Sequence, residues 1–254
     1  MEFLPDEVSN LIKEFAFFKP NTKKELRKAV DLWCENKDEA LNKYGHISNW
    51  NTSLITDMSG LFYDEAEITY FDDLYTNPKG ISFLTSLSYN NNDNSDSDGD
   101  SDSDGGSYVA PVNYKEDFND NINNWDVSNV KSMCGMFINC NSFNQPLDKW
   151  NVSKVEEMDL MFRNCTNFDQ PLNDWITSNV KTMYGMFNKC SKFNQPLNKW
   201  NVSKVEDMER MFRDCKIFDQ LLNSWDTSSI IIMVDMFKGA SLFDKNNALW
   251  YDFN

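Results

Sequence analysis

The sequence predicts an α/β solenoid of 25-residue coils, each a short strand plus a short helix, with an α-helical cap at its N-terminal end. Three observations carry this. Tryptophans recur at a step of 25 residues, at Trp125, Trp150, Trp175, Trp200, Trp225 and Trp250. Other apolar residues keep the same step: Met133, Met158, Met183 and Met208; Phe137, Phe162, Phe187 and Phe212; Cys140, Cys165, Cys190 and Cys215. Gln-Pro-Leu recurs at Gln145–Leu147, Gln170–Leu172 and Gln195–Leu197. A fixed period in this range marks a repeat architecture. One such unit cannot bury its apolar face alone, so its neighbours must complete the core.

Within a repeat, Val155, Met158, Phe162 and Cys165 lie three to four apart, which predicts a helix over roughly 154–164. Ser153-Lys154-Val155-Glu156 reads as its capping box, and Ser203–Glu206 repeats it. Pro171 cannot sit in a helix interior. The segment around it is therefore extended, with a strand expected near Leu172–Trp175. The Trp, Met, Phe and Cys columns are the predicted core.

The unit Trp-[Asp/Asn]-Val-Ser-x-Val-x-x-Met-x-x-Met-Phe-x-x-Cys-x-x-Phe-[Asn/Asp]-Gln-Pro-Leu resembles the BspA-type leucine-rich-repeat surface proteins, found in bacteria, protists and giant viruses. The resemblance spans residues 22–70 and 118–254. It includes Glu25–Trp33, Tyr44-Gly45-His46-Ile47 and Trp50-Asn51-Thr52-Ser53. It implies an elongated protein-binding scaffold of the leucine-rich-repeat type, with no catalytic residue and no cofactor to carry over.

The N-terminal region, residues 1–45, reads as the cap. Val8, Leu11, Ile12 and Phe15 predict an amphipathic helix over 5–18, with Pro5 in its first turn. Residues 4–18 also look like the opening of an F-box, which would make the chain an adapter recruiting a ubiquitin-ligase subunit. Thr22 and Glu25 form a capping box for a second helix that buries Leu26, Ala29, Val30 and Trp33. A third helix is expected over Asp38–Tyr44, ended by Gly45.

Residues 46–70 read as a degenerate first repeat, in which Trp50, Ile55, Met58, Leu61 and Phe62 match Trp125, Val130, Met133, Met136 and Phe137. Residues 71–117 read as an insertion; Tyr75, Ile81, Phe83 and Leu87 would mark a worn coil within it. Its Asn/Asp/Ser/Gly stretch 90–107 lacks apolar residues and cannot offset its ordering entropy, so disorder is expected there. An EF-hand counted from Asp96 or Asp98 would place Ser107 or Val109 where a bidentate Glu is needed, so that match fails. Phe118 resumes the pattern, and the repeats run to residue 254.

The formal charge of −16 lacks the Lys/Arg excess that neutralises phosphates, so nucleic acid is excluded as a partner. The six cysteines lack zinc-site spacing. Two readings stand for the column of four: buried free thiols, or disulfides between neighbouring repeats, which need an oxidising compartment. Met1–Glu7 lacks the features of a secretory signal, and no apolar run reaches membrane-span length. An intracellular location is expected, in the virion or host cytoplasm if the chain is viral. His46 is the only histidine, no nucleophile set assembles around it, and the chain is not expected to be an enzyme.

Lys131, Glu156, Lys181 and Glu206 form a column of alternating sign, which would disfavour a slip of one repeat. Tyr184, Arg163, Arg213 and Lys189, at non-repeating positions, are the candidate protein-binding surface. In the last repeat Ile230-Ile231-Ile232 replaces charged residues. Either residues 244–254 fold back over that end, or two chains meet there as an end-to-end homodimer.

Overall fold

The computed structural model describes residues 17–63 and 115–253. Among the described residues two α-helices precede the repeats. Helix α1 (Lys23–Glu35) starts where Thr22 Oγ1 accepts the Glu25 amide. The Glu25 carboxylate reaches back to the Asn21 amide at 2.7 Å, one residue earlier than in a capping box. Leu26, Ala29, Val30 and Trp33 form the buried stripe of α1. Helix α2 (Lys37–Tyr44) is capped by Asn36 and ends at Gly45, whose φ of 70° suits glycine. The predicted helix over 5–18 and the acidic stretch 90–107 lie outside the described residues, apart from residues 17 and 18.

The strand-and-helix solenoid expected above is not what forms. Among the described residues no strand occurs, and both α-helices precede the repeats. Among the described residues from Asp57 to Ile232 the ladder contacts are single parallel bridges, Asp57 to Ser132, then Glu157, Thr182, Asp207 and Ile232. The predicted helix over 154–164 is instead a run of tight turns. Met161 N donates to Met158 O, Arg163 N to Leu160 O, and Cys165 N to Phe162 O, each three residues back. The amides between them leave the repeat altogether: Met158, Leu160, Phe162 and Asn164 donate to Thr182, Tyr184, Met186 and Asn188.

The backbone explains the helix failure. Leu160 and Asn164 hold φ values of 56° and 60°. Their equivalents do the same: Gly135 and Asn139, Gly185 and Lys189, Arg210 and Asp214. A left-handed residue every few positions cannot belong to a right-handed helix. The capping-box reading fails with it. Asn151 Oδ1 accepts the Ser153 amide at 3.2 Å and Asn201 Oδ1 accepts that of Ser203 at 3.0 Å, an Asx turn rather than a helix cap. The strand expected near Leu172–Trp175 is likewise a turn, closed by Trp175 N on Leu172 O.

Equivalent side chains of successive repeats pack on one another. Trp150 and Trp175 stack at 6.4 Å with 6° between their planes, and Trp175 on Trp200 at 6.4 Å with 2°. Phe137, Phe162, Phe187 and Phe212 form a second column at 5.5–5.7 Å. From Trp150 to Trp250 each indole N–H finds a carbonyl 28 residues earlier, as Trp175 Nε1 does on Leu147 at 3.1 Å. So the polar atom of the Trp column is satisfied at each of these steps. The [Asn/Asp]-Gln pairs serve the same end: Asn144 Oδ1 accepts both the Asp169 amide and the Gln170 side chain.

The first repeat is interrupted. Trp50 stacks directly on Trp125 at 6.1 Å, and Phe62 on Phe118 at 4.1 Å. Thus Trp50–Tyr63 supplies the first part of a repeat and the chain resumes its remainder at Lys115. Residues 64–114 enter within that repeat, where later repeats carry their second left-handed residue. The worn coil sought around Tyr75–Leu87 lies outside the described residues.

Candidate interaction face

One side of each repeat keeps its backbone geometry and changes its chemistry. Seven residues after each Trp stand Asp57, Ser132, Glu157, Thr182, Asp207 and Ile232, the bridged positions. Two residues further on stand Ser59, Cys134, Asp159, Tyr184, Glu209 and Val234. Side chains on a bridged row all point the same way, so these two columns form one face.

Asp159 is its chemical centre. Its carboxylate accepts the Thr182 hydroxyl and, at 2.8 Å, the Tyr184 amide. Cys134 Sγ lies 3.8 Å from both Asp159 and Glu157. Burial pushes the Asp159 carboxyl up to about 6, against the two hydrogen bonds that favour its charged form; Asp207 and Glu157 push it further up. Burial, with Asp159 beside it, also raises the Cys134 thiol. That thiol is not poised as a nucleophile, which needs a depressed pKa.

The four residues expected to bind a partner are placed unequally. Tyr184 and Arg163 are buried, at 3% and 5% exposure. Tyr184 reaches Arg210 through its hydroxyl at 3.4 Å, and burial raises its pKa. Arg213 is half-buried between Asp214 and Asp235, 3.7 Å from each. Lys189 is exposed, at a left-handed backbone position. The exposed row next to this face was legible: Lys181 Nζ meets Glu156 at 2.5 Å, which lowers the Glu156 carboxyl and raises the Lys181 ammonium. What sequence reasoning missed is Asp159, whose importance comes from Thr182 and Tyr184 of the next repeat. The shared 25-residue step was the available signal.

The four column cysteines are free and buried. Cys165, Cys190 and Cys215 each point Sγ at a Phe carbonyl of the preceding repeat, at 2.9 Å. Burial raises all four thiols. His46 caps a short 3₁₀ turn (Ile47–Asn49), with Nδ1 2.8 Å from Ser48 Oγ and its ring against Trp33 at 5.1 Å. Among the described residues no group of three His, Cys, Asp or Glu could hold a metal, and no helix is long and apolar enough to cross a membrane.

No curated protein and no solved structure matches the chain. A family model does, over residues 32–75, 110–186 and 172–252, which takes in most of the repeats and is consistent with the BspA-type resemblance. The chain belongs to the family described as "Mycoplasma protein of unknown function, DUF285".

Proposed function

We propose that the chain is a non-catalytic scaffold that binds a protein partner along the varied face. One observation carries this: a backbone repeated at each bridge from Asp57 to Ile232 changes its side chain from each repeat to the next, in the order Asp, Ser, Glu, Thr, Asp, Ile. A regular frame with irregular chemistry can read an extended partner position by position. The core columns, by contrast, repeat and carry no such information. Exposed Glu157 and Lys181 offer charges that set orientation and association rate more than affinity.

The test is affinity capture with mass spectrometry, using the full chain and a Glu157→Lys/Lys181→Glu variant. Lys149→Glu, away from this face, is the control. A partner held by the wild type and the control but lost by the double variant supports the reading. Capture that ignores the double substitution removes it.

A further inference from the structure

The repeats have a direction in their hydrogen bonds: each donates to the one that follows it. In the repeat of Trp200, the amides of Met208, Arg210, Phe212 and Asp214 donate to Ile232, Val234, Met236 and Lys238. The equivalent amides of the last repeat belong to Met233, Asp235, Phe237 and Gly239. None of these has an acceptor among the described residues. Beside this row lies a groove of about 750 Å³, lined by residues 231–235, 237, 238 and 251–253. Its rim is apolar and open: Ile231 is 77% exposed and Val234 63%. Tyr251 and Phe253 close only the core side, packing on Phe237 at 5.1 and 5.7 Å.

We propose that this groove receives a segment of a partner polypeptide that follows the turned path of a repeat, whose alternate backbone carbonyls accept from Met233, Asp235, Phe237 and Gly239 and whose apolar side chains cover Ile231 and Val234. The groove shares Ile232 and Val234 with the varied face, but the argument rests on the amides of the last described repeat and does not depend on a partner reading that face. In the repeats before it, the equivalent amides are met by the carbonyls of a turned segment, as Met208, Arg210, Phe212 and Asp214 are by Ile232–Lys238, so a segment on that same path supplies acceptors at the right places. The contact continues one the chain already makes between its own repeats. A second copy is the poorer occupant. Its opposite end presents carbonyls, but Arg27 and Lys115 already donate to Tyr63 O there. Two last repeats set face to face would oppose donor to donor.

The probe is a labelled synthetic peptide copying Ser203–Asp214, whose carbonyls serve the Trp175 repeat in this way within the chain. Fluorescence anisotropy reads binding, and amide hydrogen exchange reads the site. Saturable binding is expected, with exchange slowed at residues 233, 235, 237 and 239. Ile231→Lys and Val234→Lys, both at exposed positions, should each weaken it about ten-fold or more, roughly 1.4 kcal/mol. Three results would overturn the proposal. One is no saturation up to about 1 mM peptide. Another is binding that leaves those four amides or both variants unaffected. The third is self-association of the chain alone with the same amides protected, which would make a second copy the occupant.

Discussion

The first and last repeats carry the same columns but are closed differently. At the first, Arg27 donates to the carbonyls of Gly60 and Tyr63, both at 2.5 Å, and Lys115 adds a third donor on Tyr63 at 3.2 Å. Lys23 bonds Asp57 and Ser59 at the same edge. Above them Trp33, Phe18 and Tyr44 pack on Trp50. At the last, aromatics cover the core but no acceptor among the described residues meets the amides. Stacking parallel repeats makes one end acceptor-rich and the other donor-rich, so each end needs its own chemistry. Basic residues from α1 suit the first. Among the described residues no acceptor is bonded to the amides of the second.

The largest separation between interior and end should come from tryptophan. Trp175 is buried between two stacked indoles. Trp175→Ala should cost about 3–5 kcal/mol. Trp250 is half-buried and stacked on one side only, so Trp250→Ala should cost less than half as much. Urea unfolding midpoints decide this; equal losses would mean that the last repeat is as tightly held as the interior. Arg27→Ala comes next. It strips donors from carbonyls that α1 shields, and hydrogen bonds to charged groups contribute about 1.5–3 kcal/mol each. Partial exposure of the guanidinium reduces that, so a loss of about 1–3 kcal/mol is expected, with amide exchange quickening first in residues 55–63.

The period and the Trp, Met, Phe and Cys columns were readable because burial depends only on side-chain type and spacing. The path of the backbone was not. Met158-x-x-Met161-Phe162-x-x-Cys165 has a spacing that suits a helix and suits consecutive three-residue turns equally well. What separates the two is the left-handed residue, and glycine marks it at Gly135 and Gly185 but not at Leu160 or Arg210. Ser153-Lys154-Val155-Glu156 reads as a capping box, but Asn151 and Ser153 close a turn there instead. Tyr184 and Arg163 read as surface because they break the repeat. Polar tips do not prevent burial when a neighbouring repeat supplies partners, as Arg210 does for Tyr184.

Glycine sharpens the same contrast. A Cβ at Gly185 would sit 2.8 Å from Leu160 Cδ2, at φ 53°. Leu160 itself is buried at 2% exposure, so Gly185→Ala has to displace a packed side chain and strain the backbone. A loss of about 1–3 kcal/mol follows. Gly239 holds φ 77°, and its Cβ would meet Asp214 Oδ1. That carboxylate is 41% exposed and can swing into solvent. Gly239→Ala should therefore cost only the backbone strain, about 1 kcal/mol. A thermal-shift comparison in which Gly239→Ala is the worse of the two would break the argument that the interior, not the backbone conformation, sets the difference.

The smallest effect belongs to pH. The Asp159 carboxyl is raised from 3.8 to about 6 by burial. The folded state therefore holds this proton more tightly than the unfolded chain does. By linkage, its contribution favours folding below about pH 4 and is progressively lost as pH rises through about 6. Asp159→Asn removes the titration yet keeps an oxygen for Thr182 and the Tyr184 amide. The stability difference between variant and wild type should grow in the variant's favour from pH 4 to 7 and then level off. Glu209, nearer the end and also raised by burial, but partly offset by Arg210, should give a weaker trend as Glu209→Gln. A flat difference across that range for Asp159→Asn would mean that water reaches the Asp159 carboxylate freely. The interior face would then be as wet as the end.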